Sequence, residues 1–311
     1  MRRREFIAGA AGLAVAAAAG PSFAGEPVVT EVSDNGLVGK FYAWPAEVQR
    51  RKPAVLMLGG SGGGYPYENA AKALAGAGHP VLALAYFRGF MGGALTGLPA
   101  QLKDIPLEYF FKAIDWMKTR PEVNPKKIVL MGESRGGELV LQLGSMRKDL
   151  AGVIAYVPSH LRWGAVGPEG GAWTLGGQLL PYARDDYKPG EPLVSGFIRT
   201  LDGDPAKLAP AAIAVEKIRG PVLLFSTRAD QIWPSTRMCQ AAMARMAAKG
   251  KRGARDHIVY EDSSHLLMGP GPGITHFGEG AYRMEFGGTE DGTLKARNDA
   301  WARSLAFMGQ I

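Results

Sequence analysis

The 311-residue sequence has a single cysteine, Cys239. An internal disulfide and a Cys-rich metal site are therefore excluded. Within the helix-like run "MCQAAMARMAAK" the thiol reads as a packed structural group. Histidine is scarce too, at five residues, and no H-x-H or H-x-x-x-H pair occurs, so no metal site is expected. No Gly-Lys-Ser/Thr follows a glycine-rich loop, which excludes a Walker A site. Counted from Gly60, the sixth position is Tyr65, so the dinucleotide pattern G-x-G-x-x-G fails as well. No cofactor is expected. Past the first 24 residues no run has the length and apolarity of a membrane-spanning helix. Charge of neither sign is concentrated. The net charge is +7, and the densest basic cluster, "KGKRGAR" at 249–255, has no nucleic-acid motif beside it and reads as a solvated loop.

What is present begins with "MRRREFIAGAAGLAVAAAAGPSFAGEP". A basic start, an apolar run from Phe6 to about Gly20 and the small-x-small site Ser22-Phe23-Ala24 have the form of an export signal, with cleavage expected after Ala24. Arg3-Arg4-x-Phe6-Ile7 has the twin-arginine form. Residues 1–24 are thus expected to be a twin-arginine signal, and the protein to be exported, to the periplasm of a bacterium. No cysteine follows the signal, which excludes a bacterial lipoprotein anchor. The rest, 46% hydrophobic and 21% charged overall, has the balance of one globular enzyme domain over 25–311.

Short apolar runs of the buried-strand kind alternate with amphipathic helical runs. "PAVLMLGG", "VLALAYF", "KIVLMG", "GVIAYVPS", "PVLLFST" and "DHIVYED" read as strands. "YENAAKALAGAGHP", "PLEYFFKAIDWMKTR", "GGELVLQLGSM", "STRMCQAAMARMAAKG" and, from Leu294, "LKARNDAWARSLAFM" read as helices. "PVVTEVS" and "GLVGKFYAWP" flank the turn "DNG" as a hairpin. This alternation predicts an α/β fold with a mainly parallel sheet covered on both faces. Two Gly-rich stretches break the rhythm: about 160–215, read as an inserted cap, and 269–293.

Gly132-Glu133-Ser134-Arg135-Gly136 matches G-x-S-x-G between a predicted strand and a predicted helix. A nucleophile on so sharp a turn needs small neighbours two positions either side. A serine also needs a base. Of the five histidines, His265 directly follows the last predicted strand. Asp230, three residues past the preceding strand, is the candidate acid, with Asp262 as its rival. The order Ser134, Asp230, His265 is that of an α/β-hydrolase. An oxyanion would be held by the backbone N–H of Arg135 and by one from the loop "GGSGGG", from Ser61 or Gly62. Trp163 and Trp173 of the cap, and Trp233 beside Asp230, are candidate walls of an apolar acyl pocket.

"GESRGGELVLQL", "IPLEYFFKAIDWM", "ADQIWPS", the "SSH" turn, "FGGT" and "NDAWARSLAFM" together resemble the catalytic domain of the acyl-CoA thioester hydrolase family, which includes the bile acid-CoA:amino acid N-acyltransferases. The likeness runs from about 35 to 308. It implies an α/β-hydrolase domain with Ser or Cys as nucleophile at 134, an acid at 230 and a histidine at 265. Animal-type members also carry an N-terminal β-sandwich, for which there is room here only for the signal and two strands. The implied activity is hydrolysis of a small-molecule ester or thioester through an acyl-enzyme. Acyl transfer to another acceptor and non-catalytic binding on a hydrolase scaffold are the alternatives. Coenzyme A is not expected outside the cytosol, so the expected export leaves the leaving group open.

Overall fold

Apolar runs bounded by glycine and proline form the inner strands of one eight-stranded sheet. A computed structural model describes residues 26–45, 52–167, 169–251, 253–280 and 283–311; the signal expected over 1–24 lies outside them. The strands are β1 (Val28–Val32), β2 (Val38–Ala43), β3 (Ala54–Leu58), β4 (Val81–Ala85), β5 (Ile128–Glu133), β6 (Gly152–Tyr156), β7 (Val222–Thr227) and β8 (Arg255–Tyr260). Their spatial order is β1-β2-β4-β3-β5-β6-β7-β8. β2 is antiparallel to β1 and to β4, and every other pairing is parallel. Every residue of β3 to β7 is buried, as parallel strands covered on both faces require, whereas four of the five residues of β1 are exposed at the edge.

The period-two alternation of these strands divides the core between the two faces. Leu56 and Leu58 of β3 pack with Phe110 of α2 (Leu107–Lys118), Leu139 of α3 (Arg135–Met146) and Met246 of α5 (Ser235–Ala248). Val55 and Met57 pack on the other face with Leu74 of α1 (Glu68–Gly76) and with Ala300 and Met308 of α6 (Glu290–Gly309). α6 starts four residues before the predicted Leu294. Thr289 caps it by accepting the Gly292 N–H at 3.1 Å, and Glu290 and Asp291 meet the positive end of its dipole.

The irregular stretch at 160–215 holds helix α4 (Leu193–Asp202) and the short strands Trp173–Leu175 and Gln178–Leu179. Leu161, Trp163, Ala183 and Ala211 form a small apolar cluster of their own with Trp233 and Met238. Arg162 threads this segment and donates to the carbonyls of Pro181 at 2.8 Å and Pro210 at 2.6 Å, and to Gln142 Oε1 on α3 at 2.9 Å. The second stretch, 269–293, carries a hairpin of His276–Phe277 with Met284–Glu285. Among the described residues no helix is long and apolar enough to cross a membrane.

Candidate active site

β5 ends at Glu133 and α3 begins at Arg135, so Ser134 alone makes the turn between them. Its φ of 58° and ψ of −122° lie where L-residues are strained. The turn is held by the Ser134 N–H donating to the Tyr156 carbonyl at 3.0 Å and the Glu138 N–H donating to the Ser134 carbonyl at 2.9 Å. The flanking glycines have steric causes. A Cβ on Gly132 would lie 2.4 Å from the Gly136 carbonyl oxygen, and one on Gly136 would lie 2.3 Å from that of Leu58. Gly60, after β3, passes the nucleophile candidate so closely that a Cβ there would sit 3.2 Å from Ser134 Cβ. Ser61 and Gly62 follow at once, half-buried, and the Gly62 carbonyl accepts the Met91 N–H at 3.0 Å. Arg135 is the first residue of α3, so its N–H is one of the donors a helix leaves unpaired at its start.

The turn after β7 and the segment after β8 bring Asp230 to His265. His265 Nδ1 lies 2.9 Å from both carboxylate oxygens of Asp230, and both residues are buried. Asp230 Oδ1 also accepts the N–H groups of Ile232 at 3.0 Å and Trp233 at 3.2 Å, so it holds its own turn while facing the imidazole. The Phe286 carbonyl ties the two loops together by accepting the N–H of His265 at 2.9 Å and of Gln231 at 3.3 Å. The rival Asp262 is exposed and accepts the Thr289 hydroxyl at 2.6 Å instead. Burial pushes the His265 pKa down, but the charge and hydrogen bond of Asp230, aided by Glu133, outweigh it, and the pKa is raised. Nε2 of His265 is buried and has no hydrogen-bond partner within the protein.

The remaining histidines serve elsewhere. His79 donates through Nδ1 to the Pro53 carbonyl at 2.8 Å, His257 Nε2 lies 2.7 Å from Ser226 Oγ in the sheet, and His276 sits in the 276–285 hairpin. Burial pushes His160, at the start of the irregular 160–215 stretch, down to about 4. Cys239 is buried under β7, and burial pushes its thiol up. Among the described residues no cluster of His, Cys, Asp and Glu is arranged to hold a metal ion.

The three tryptophans separate in role. Trp173 is 1% exposed and lies in the main core against Tyr86 and Phe110. Its indole N–H donates to Glu138 Oε1 at 2.6 Å. Trp163 donates its indole N–H to Ser159 Oγ at 2.7 Å and meets Phe197 edge-on at 4.7 Å. The Trp163 backbone also meets α3, its N–H donating to Glu138 Oε2 at 3.4 Å and its carbonyl accepting from Arg135 at 2.9 Å, and buried Glu138 pairs with Arg135 at 3.3 Å. Trp233 borders the site: its ring meets that of His265 edge-on at 5.7 Å, and its N–H is spent on the Val157 carbonyl at 3.0 Å.

Two features outside the predicted set complete the picture. Glu133 is wholly buried beside Ser134, and its Oε1 accepts the N–H groups of Leu267 at 2.6 Å and Met268 at 2.7 Å. The G-x-S-x-G pattern makes no demand at that position; a charged residue at the end of an apolar strand was the available signal. Phe90 and Phe277, 72% and 60% exposed, face each other with ring centroids 6.0 Å apart. They join the loop that bonds to Gly62 to the hairpin rooted at Phe286.

Comparison with known proteins gives the family and the fold. Residues 105–311 match the family model described as BAAT / Acyl-CoA thioester hydrolase C terminal, and residues 39–169 match that of the dienelactone hydrolase family. Human acyl-coenzyme A thioesterase 6 is 31% identical over 274 residues, covering 82% of this chain and 59% of its own length. Human acyl-coenzyme A thioesterase 1 is 30% identical over 228 residues, covering 70% of this chain and 49% of its own. The chain thus spans about half the length of these relatives. In fold it is similar to a Klebsiella pneumoniae crystal structure of dienelactone hydrolase type, with a TM-score of 0.58 and 14% identity over 91% of this chain and 98% of that one.

Proposed function

Because this chain belongs to the BAAT / acyl-CoA thioester hydrolase C-terminal family of α/β-hydrolases, we propose that it is a serine hydrolase that opens an ester or thioester through an acyl-enzyme. The observations that carry this reading are the buried Asp230–His265 pair, with Nδ1 2.9 Å from both carboxylate oxygens and Nε2 unspent, and a serine held at positive φ on the elbow between β5 and α3. Ser134 Oγ attacks the acyl carbonyl as His265 Nε2 takes its proton. Asp230 keeps the Nδ1 proton, orients the ring and stabilises the imidazolium. The oxyanion is met by the N–H of Arg135 and by that of Ser61 or Gly62, whose approach Gly60 permits. Collapse expels the alcohol or thiol, which takes the proton from Nε2. Water then repeats the sequence on the acyl-enzyme and frees the acid.

The substrate follows in class from the surroundings. Trp233 beside His265, and the exposed Phe90, Met91 and Phe277 on the loops that flank the site, suit an apolar acyl group. The twin-arginine-like leader would carry this chemistry out of the cytosol, so oxygen esters stand beside thioesters as substrates. An alkyl fluorophosphonate probe is expected to label the wild type and not Ser134→Ala. Turnover of a matched panel of esters and thioesters is expected to fall by roughly 10⁴–10⁶-fold in that variant. Equal labelling of the two proteins would refute the assignment.

A further inference from the structure

The residue between Gly132 and Ser134 is a glutamate with 0% exposure. A carboxylate so placed is costly unless its oxygens are satisfied. Glu133 is satisfied three times, by the N–H groups of Leu267 and Met268 on Oε1 and by the Tyr67 hydroxyl on Oε2. All three donors are neutral, so the groups bonded to it bring no countercharge of their own. Two of the three lie on the segment that carries His265, two and three residues beyond it. Arg297 of α6 holds the same segment by donating to the carbonyls of Gly269 at 3.0 Å and Met268 at 3.2 Å.

We propose that Glu133 is a positioning residue for His265: it clamps the 267–268 backbone, which sets the imidazole against Ser134, and its charge stabilises the imidazolium formed when Ser134 gives up its proton. The inference rests on the reading of Ser134 and His265 as nucleophile and base. No bond forms or breaks at Glu133, and the proton moves only from Ser134 Oγ to His265 Nε2. The charged groups acting on His265 are Asp230, from the turn after β7, and Glu133, from the end of β5. Trp233 adds an uncharged ring edge. Around Glu133 stand the phenols of Tyr67 and Tyr156, both kept protonated by burial, and the cation of Arg297 acts on both phenols.

The test separates charge from shape. Glu133→Gln keeps a carbonyl for the two amides and removes the charge. Its acid limb in kcat/KM is expected to move to lower pH by roughly one unit, because the imidazolium loses a stabilising neighbour. Its plateau kcat is expected to fall about ten-fold. Tyr67→Phe keeps the charge, and its acid limb should stay with the wild type. The His265 imidazole titration, followed by NMR in a Ser134→Ala background and assigned with His265→Gln, should show the same shift without any turnover. If Glu133→Gln does not fold, Glu133→Asp and Glu133→Asn, of equal size and different charge, carry the same comparison. A wild-type His265 titration in the uncharged variant overturns the proposal whatever its turnover. A shifted titration in a protein that no phosphonate labels would overturn the hydrolase reading instead.

Discussion

Asp230 does two jobs with one carboxylate. Oδ1 closes the turn through the N–H groups of Ile232 and Trp233, and both oxygens face His265 Nδ1. An aspartate in a turn after a strand is common for the first reason alone. The two roles can be separated. Asp230→Asn keeps an acceptor for the turn but offers an N–H to the imidazole, which favours the tautomer with the proton on Nε2. Steady-state kinetics should show kcat lowered by about 10⁴-fold, while the melting temperature changes by a few degrees at most. A large loss of stability would mean that the turn, rather than the tautomer, is what the carboxylate serves.

The elbow between β5 and α3 is the element on which the rest of the site depends. It brings the start of α3 against the end of β3, so Gly136 touches the carbonyl oxygens of Leu58 and Gly59, at 2.3 and 2.5 Å from where a Cβ would stand. The β3 backbone has little room to give way, since every residue of that strand is buried. Gly136→Ala should therefore destabilise the protein by about 3 kcal/mol or prevent its folding, by overpacking. Gly76, in the last turn of α1, has nothing within 4 Å of the position its Cβ would take. Gly76→Ala should be neutral or stabilise by about 0.5–1 kcal/mol. Thermal or urea melts of the pair check the contrast, and similar melting of the two variants would refute the steric account of the elbow.

At the scale of the whole molecule, buried histidines link stability to pH. Burial holds His79 down to about 4, with the Pro53 hydrogen bond opposing and Lys52 assisting. Its folded pKa is below its unfolded one, so its contribution is full above about pH 6.5 and is lost as pH falls toward 4. The loss amounts to about 3 kcal/mol at most. His265 has the opposite sign: its raised pKa adds stability that is present in acid and fades as pH rises through the folded value. The melting temperature is expected to drop between pH 7 and 4.5, and His79→Gln to flatten that drop. An unchanged slope in His79→Gln would place the acid sensitivity elsewhere.

The sequence by itself determined the order of the main strands and helices along the chain and the elbow, and it singled out Ser134, Asp230 and His265 as candidates. Each of these rests on local signals: period, apolar runs, glycines two positions either side of a serine, and polar residues just past the end of a strand. It also carried the family, through the run "GESRGGELVLQL". The tertiary structure alone decided what depends on which surfaces meet. Trp173 proved to be a core residue because Glu138, four positions past Ser134, accepts its indole N–H. Asp262 was set apart from Asp230 by the direction of the chain after β8, which turns its side chain to Thr289. The partners of Glu133 and the Phe90–Phe277 pairing could not be read beforehand, because the groups that meet lie far apart along the chain. Local chemistry marks where a turn or a strand must be, but only the packed fold says which backbone groups a buried charge will find.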